Sequence, residues 1–126
     1  MTNHEVIENY FRAVNTEDWD LLRSLITEDA EYSTTGARPR QGREVVTEFF
    51  QGLFKAWSVH YDDPQWTITE GDKGASAVEF RGTSVNGVDI TFDAVDIFEF
   101  RDGKLSKWST WYDLNAVRKE LERSTS

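Results

Sequence analysis

Three short turn signals divide the second half of this chain and leave it very few ways to fold. Gly71-Asp72-Lys73-Gly74, Asn86-Gly87 and Asp102-Gly103 each pair residues that tolerate positive φ with side chains that favour tight reversals. The β-prone stretches between them predict strands at Ser58–Tyr61, Gln65–Glu70, Ala75–Val85, Val88–Phe100 and Lys104–Tyr112, joined as an antiparallel meander. The first half has a different period. Val6, Ile7, Tyr10, Phe11 and Val14 recur at helical spacing behind a Thr2/Glu5 capping box, predicting a helix to about Asn15. Glu17-Asp18 open a second, short helix with Trp19, Leu22, Leu25 and Ile26 on one side. Glu31–Thr35 is β-prone, and Gly36–Gly42 reads as the main flexible loop. A third helix, Arg43 to about Trp57, carries Val46, Phe49, Phe50, Leu53, Phe54 and Trp57. Asp113 caps a last helix with Leu114, Val117 and Leu121 inside, and Glu122–Ser126 is expected to fray. Helices followed by a long meander predict one α+β domain over residues 1–126.

Eight Phe, five Trp and four Tyr in 126 residues are more than a small core readily buries, so some should line a cavity or an interface. A net charge of −9 argues against nucleic acid and against an anionic membrane surface, and no apolar run reaches membrane-spanning length. Without Cys there is no disulfide, thiolate nucleophile or thiolate metal site, and His4 and His60 lack metal-ligand spacing. No metal and no cofactor are expected. The chain opens directly into a helix with no leader pattern, which predicts a cytoplasmic protein.

Hairpin register predicts which side chains share a face. A two-residue Asn86-Gly87 turn sets Val85 against Val88, Thr83 by Ile90, Arg81 by Phe92, Glu79 by Ala94 and Ala77 by Asp96. At Asp102-Gly103 a two-residue turn would place Asp96 across from Ser109. A three-residue turn with Gly103 as a G1 bulge would place it across from Trp108. The second is preferred, because it gathers Phe92, Ala94, Asp96, Phe98, Trp108, Thr110 and Tyr112 on one face. The other face, with Val78, Phe80, Val95, Ile97 and Trp111, is also apolar and predicts pairing with a second copy, a homodimer.

Asp96 stands out as a carboxyl in mid-strand among aromatics, where burial favours its protonated form. Two roles are open to it: an acid facing a pocket, or a structural Asp bonded to a helix end or to Arg81. Glu79 and Arg81 would point into the same cavity, or satisfy each other at the surface.

These residues resemble the nuclear transport factor 2-like superfamily, within it the ketosteroid isomerase and SnoaL-like polyketide cyclase group. The resemblance covers almost the whole chain, including the closing Trp108-Ser-Thr-Trp-Tyr-Asp-Leu114 segment. It implies a cone-shaped α+β barrel, with N-terminal helices packed on a strongly curved, mostly antiparallel sheet around a pocket for a small apolar molecule. Asn9-Tyr10-Phe11-Arg12-Ala13-Val14-Asn15 is similar to the helix supplying the oxyanion-hole tyrosine of ketosteroid isomerase, here Tyr10. Val85–Phe100 is similar to the strand pair carrying its protonated aspartate, here Asp96. The sequence departs from that pattern where the general-base aspartate would fall, which is Thr34, and Phe50 replaces a buttressing tyrosine. A hydroxyl cannot take a carbon-bound proton at neutral pH. Thr110 stands where limonene epoxide hydrolase has its closing-strand aspartate, with Arg81 the counterpart of that enzyme's arginine.

Two functions follow from the resemblance. One is a cofactor-independent isomerase, cyclase or dehydratase acting on a small apolar carbonyl compound, with Asp96 and Tyr10 polarising the carbonyl and Glu79 as base, His60 behind it. Tyr32, Thr34, Phe54, Arg81, Phe92, Phe98, Trp108, Thr110 and Tyr112 would bind substrate. The alternative is a dimeric ligand-binding domain without catalysis.

Overall fold

The structure is a computed structural model and describes residues 1–123. Four helices, α1 (Asn3–Thr16), α2 (Trp19–Leu25), α3 (Arg43–Phe54) and α4 (Leu114–Glu122), accompany six strands. These are β1 (Ile26–Thr34), β2 (Arg40–Gln41), β3 (Trp57–Glu70), β4 (Lys73–Ser84), β5 (Asp89–Arg101) and β6 (Lys104–Tyr112). The order across the sheet is β2-β1-β6-β5-β4-β3, antiparallel throughout except where β1 runs parallel to β6. The expected α+β cone is present, although its sheet does not close into a barrel. None of the described helices is long and apolar enough to cross a membrane.

Local signals set the helix ends. Thr2 and Glu5 form the capping box of α1, and Asp113 Oδ1 accepts from the Ala116 N–H to cap α4. The inner stripe of α1 packs Val6, Ile7, Tyr10, Ala13 and Val14 against the sheet, each almost wholly buried. Phe50 of α3 stacks on Trp108 of β6, centroids 6.4 Å apart, and Tyr10 meets Trp108 edge-on at 5.8 Å.

The strands depart from expectation in three places. Ser58–Glu70 does not break at Pro64. It is one long edge strand, β3, with a bulge between Pro64 and Trp66, where an edge can spare the missing N–H. Gly36–Gly42 contains the short strand β2, and Ile26 belongs to β1 rather than to α2. The expected frayed tail is described only at Glu122 and Arg123, its remainder lying outside the described residues.

Both hairpin registers also differ. Val85-Asn86-Gly87 is a three-residue loop, with Gly87 at φ +87° and the Ser84 N–H bonded to the Val88 carbonyl. Every pairing therefore slips by one: Glu79 opposes Asp93, Arg81 opposes Thr91, and Ser76 opposes Asp96. At the next turn Asp102 and Gly103 both take positive φ, a two-residue type I′ reversal. A bulge then leaves Ser106 unpaired between Leu105 and Lys107, so Asp96 faces Thr110, neither Ser109 nor Trp108. The expected face survives, because Asp96, Phe98, Trp108, Thr110 and Tyr112 retain the same parity. Val78 and Phe80 join this inner face, whereas Val95, Ile97 and Trp111 stay on the outside, 42–56% exposed.

Asn15, expected only to end a helix, ties α1 to β3. Its Nδ2 donates to the Asp62 carbonyl at 2.9 Å and its Oδ1 accepts from the Asp62 N–H at 2.8 Å. Losing both bonds should cost about 1–3 kcal/mol. Asn15→Ala is therefore expected to lower the melting temperature well below that of an exposed control such as Asn115→Ala; equal melting temperatures would show that the clamp is idle.

Candidate active site

The inner face of the sheet and the helices that cover it enclose a cavity of about 340 Å³. Phe50 and Phe54 come from α3, Phe80 and Phe92 from the sheet, and Leu114, Val117 and Leu121 from α4. Such a wall takes an apolar, flat-sided molecule, at the small end of ligand pockets. Its polar groups are few: Tyr10, Tyr32, Thr34, Asp62, Asp96, Thr110 and Tyr112, with Arg118 on α4.

Asp96 is 4% exposed and is held from one side. The Tyr32 hydroxyl donates to Thr110 Oγ1 at 2.7 Å, and Thr110 donates its own proton to Asp96 Oδ1 at 2.6 Å. Burial raises the Asp96 carboxyl from its ordinary 3.8 to about 8, the Thr110 bond opposing this and the nearby Asp62 charge adding to it. At neutral pH the acid is therefore mostly protonated. With Oδ1 already accepting from Thr110, its proton belongs on Oδ2, the oxygen left to donate to a ligand.

Tyr10 lines the same cavity, and its hydroxyl has no hydrogen bond among the described residues. Desolvation holds its pKa well above the usual value, so it remains a donor. The Trp108 indole N–H lies close enough to lower that pKa slightly, yet it makes no full hydrogen bond and stays buried without a partner.

Asp62 is the group sequence reasoning missed. It sits on β3 opposite Phe80, with its backbone clamped by Asn15 and its carboxyl free of any hydrogen bond among the described residues. Burial raises it to about 6, with the His60 charge acting against the rise. It is therefore mostly ionised where Asp96 is mostly neutral. The sequence signal pointed the other way: along Val59-His60-Tyr61-Asp62 the apolar residues would be expected inside, yet Val59 and Tyr61 are the exposed ones.

The structure thus gathers Tyr10, Asp96, Tyr32, Thr34, Phe54, Phe92, Thr110 and Tyr112 around one cavity, as expected. It places five others elsewhere. Glu79 and Arg81 lie on the outer face, where Arg81 Nη1 bonds Glu79 at 3.0 Å and Asp63 at 3.2 Å, beside a shallow, open depression. The one-residue slip of the β4–β5 hairpin turned them outward, so Glu79 is not the base. Phe98 and Trp108 are core, 0% and 1% exposed, behind the cavity wall. His60, expected near the mouth, is buried, stacked on Phe54 at 4.0 Å and bonded through Nε2 to Glu17 at 3.1 Å. No cluster among the described residues has the ligands to hold a metal ion.

The Asp96 shift carries a stability consequence. Its folded pKa exceeds the unfolded value, so the native state binds the extra proton between about pH 4 and pH 8. The contribution is complete below about pH 4 and is lost as pH rises through about 8. Asp96→Asn, which mimics the neutral acid, should match wild type near pH 3.5 and exceed it by a few kcal/mol at about pH 8. Urea midpoints across that range measure the difference, and parallel curves for the two proteins would refute a buried, proton-binding Asp96.

Comparison with known proteins agrees with this architecture. The crystal structure of TerC co-crystallised with polyporic acid superposes with a TM-score of 0.87 at 21% identity, covering 95% of this chain and 98% of that one. A protein assigned as a polyketide cyclase from Xanthomonas campestris pv. campestris gives 0.88 at 17% identity, covering 94% and 96%. An epoxide hydrolase from M. tuberculosis, similar to limonene epoxide hydrolase, gives 0.80 at 16%, covering 96% and 90%. At such identities the likeness is one of fold. No protein of curated function matches the sequence significantly. The profile of the SnoaL-like domain matches residues 7–108, and the chain belongs to that family.

Proposed function

We propose that this protein is an acid–base enzyme, of isomerase, cyclase or dehydratase type, acting without a cofactor on a small apolar carbonyl compound. One observation carries the reading: a single apolar cavity holds two carboxyls whose environments push them apart, Asp96 to about 8 and Asp62 to about 6. Both are raised by burial but unequally, and such a gap separates an acid from a base in one site. The similar folds of a polyketide cyclase and an epoxide hydrolase fit such chemistry and leave the reaction open.

In the proposed mechanism the substrate carbonyl oxygen accepts hydrogen bonds from Asp96 Oδ2 and the Tyr10 hydroxyl. The Asp62 carboxylate removes a proton from the adjacent carbon, and the electron pair moves onto the oxygen as an enolate, where the two donors stabilise it. The enolate then has three outcomes. It regains the Asp62 proton at another carbon in an isomerisation. It attacks a second carbonyl of the same molecule, forming a C–C bond in a cyclisation, and the alkoxide left on that carbonyl's oxygen takes the Asp62 proton while the first carbonyl re-forms. Or it expels a β-hydroxyl that leaves as water with the Asp62 proton. Thr34 and Thr110 in place of carboxylates support a second reading, a pocket that binds without turnover. The exposed outer face with Val95, Ile97 and Trp111 supports pairing with a second copy.

A panel of small aromatic and alicyclic ketones in deuterated buffer tests the reading. A ketone that binds should exchange its α-hydrogens, with a rate that rises through about pH 6 and falls through about pH 8. Asp62→Asn and Asp96→Ala should each slow exchange at least about a hundredfold, and Tyr10→Phe roughly tenfold. Binding without exchange selects the second reading.

A further inference from the structure

We propose that Arg118 is a recognition site for an anionic group, so that the molecule whose carbonyl meets Asp96 and Tyr10 carries a carboxylate or similar acid at its opposite end. The inference rests on the acid–base reading for which end goes inward, and on the geometry of the mouth for the rest.

Arg118 lines the same cavity as the two carboxyls but comes from α4, and its own exposure places it where the cavity meets solvent. It stands four residues after Leu114, which places it on the helix face that Leu114, Val117 and Leu121 turn toward the cavity. Its guanidinium has no hydrogen bond and no ion pair among the described residues. Arg23, Arg81, Arg101 and Arg123 are each tied to a carboxylate. The charge lies near enough to the Tyr112 hydroxyl, also on the wall, to lower its pKa against the effect of burial. Arg118 is exposed, so its charge keeps its hydration until a ligand arrives.

The charges of the cavity form a gradient. Asp62 and Asp96 lie in the wall, with no cation among the lining residues beside them, and Arg118 is the one cation that lines the cavity among the described residues. An anionic group is repelled by the ionised Asp62 and attracted to Arg118, while the neutral Asp96 accepts no second charge beside it. Between these ends the lining is aromatic and aliphatic. A ligand with a neutral carbonyl at one end and an acid at the other is therefore oriented before it is fully bound, the wrong orientation placing like charges together. In a chain of net charge −9, whose field opposes the approach of anions, a local cation at the entrance gives such a ligand a place to land.

Two fluorescent probes test this. 8-Anilino-1-naphthalenesulfonate and N-phenyl-1-naphthylamine share one aromatic skeleton and differ by the sulfonate. Each is titrated into wild type, Arg118→Gln and Arg118→Lys, and competition between them checks for a common site. Arg118→Gln should weaken the sulfonate probe roughly three- to fivefold, the range of an exposed ion pair, and leave the neutral probe unchanged. Arg118→Lys should keep most of the difference, and salt should erode it. Equal losses for both probes, no loss for either, or failure of either probe to enter the wild-type cavity would overturn the inference. The measurement involves no proton transfer. Selective loss of the sulfonate probe in a protein that catalyses no hydrogen exchange would keep Arg118 as an anion site and remove the catalytic reading.

Discussion

A carboxyl at the bottom of an aromatic cone stays there only if it is neutral or fully bonded, and Asp96 meets that constraint with a single hydroxyl. Thr110 has one proton and spends it on Asp96 Oδ1, while its oxygen accepts from Tyr32. This chain crosses three adjacent strands, β1, β6 and β5, which are neighbours in the sheet. One neutral donor does not stabilise an ionised carboxylate enough to offset its desolvation, so the proton stays on Asp96. Protein bonds occupy only one of the two oxygens. The other is a hydrogen-bond donor in an apolar cavity, a feature the core has no use for.

Much of this was legible in the sequence, and the failures have specific causes. Asp96 stood out because an acid in the middle of an apolar strand face is costly, whatever the exact register. Its face was predicted correctly for a reason that the structure replaces: the turn at Asp102-Gly103 has two residues, and the bulge at Ser106 restores the parity. The β4–β5 hairpin had no such compensation. Asn86-Gly87 is the usual sign of a two-residue turn, but the Ser84 hydroxyl accepts from the Val88 N–H and closes a three-residue loop instead. One added residue in that loop moved Glu79 and Arg81 to the opposite face. Asp62 was missed because Pro64 reads as a strand break, whereas an edge strand with a bulge accommodates it.

The two carboxyls differ because their surroundings do, although both are aspartates in one cavity. Asp96 lies on the central strand β5 under helices and aromatics, with no cation among the causes of its shift. Asp62 is on the edge strand β3, half-buried, two residues from a histidine that is itself held by Glu17. Stacking on Phe54 and the bond to Glu17 fix the His60 ring, so its electrostatic influence on Asp62 comes from one place. The same fold feature that exposes an edge thus leaves Asp62 easier to ionise.

Where the base stands also fixes the face of the substrate it can reach. In the ketosteroid isomerase pattern the base would come from β1, at the position of Thr34. Here β1 and β6 present only hydroxyls, and the free carboxylate comes from β3, at the far end of the six-strand order. The proposed oxyanion donors, Tyr10 and Asp96, stand on α1 and β5, the elements the resemblance implies. On the proposed mechanism, a carbonyl held by those donors would meet its base from the β3 side of the cavity instead of the β1 side. Sheet curvature makes this possible, because strands far apart in order converge on a single cavity. On that mechanism the base stands on a different strand while the oxyanion donors keep their elements, and one pocket serves both arrangements.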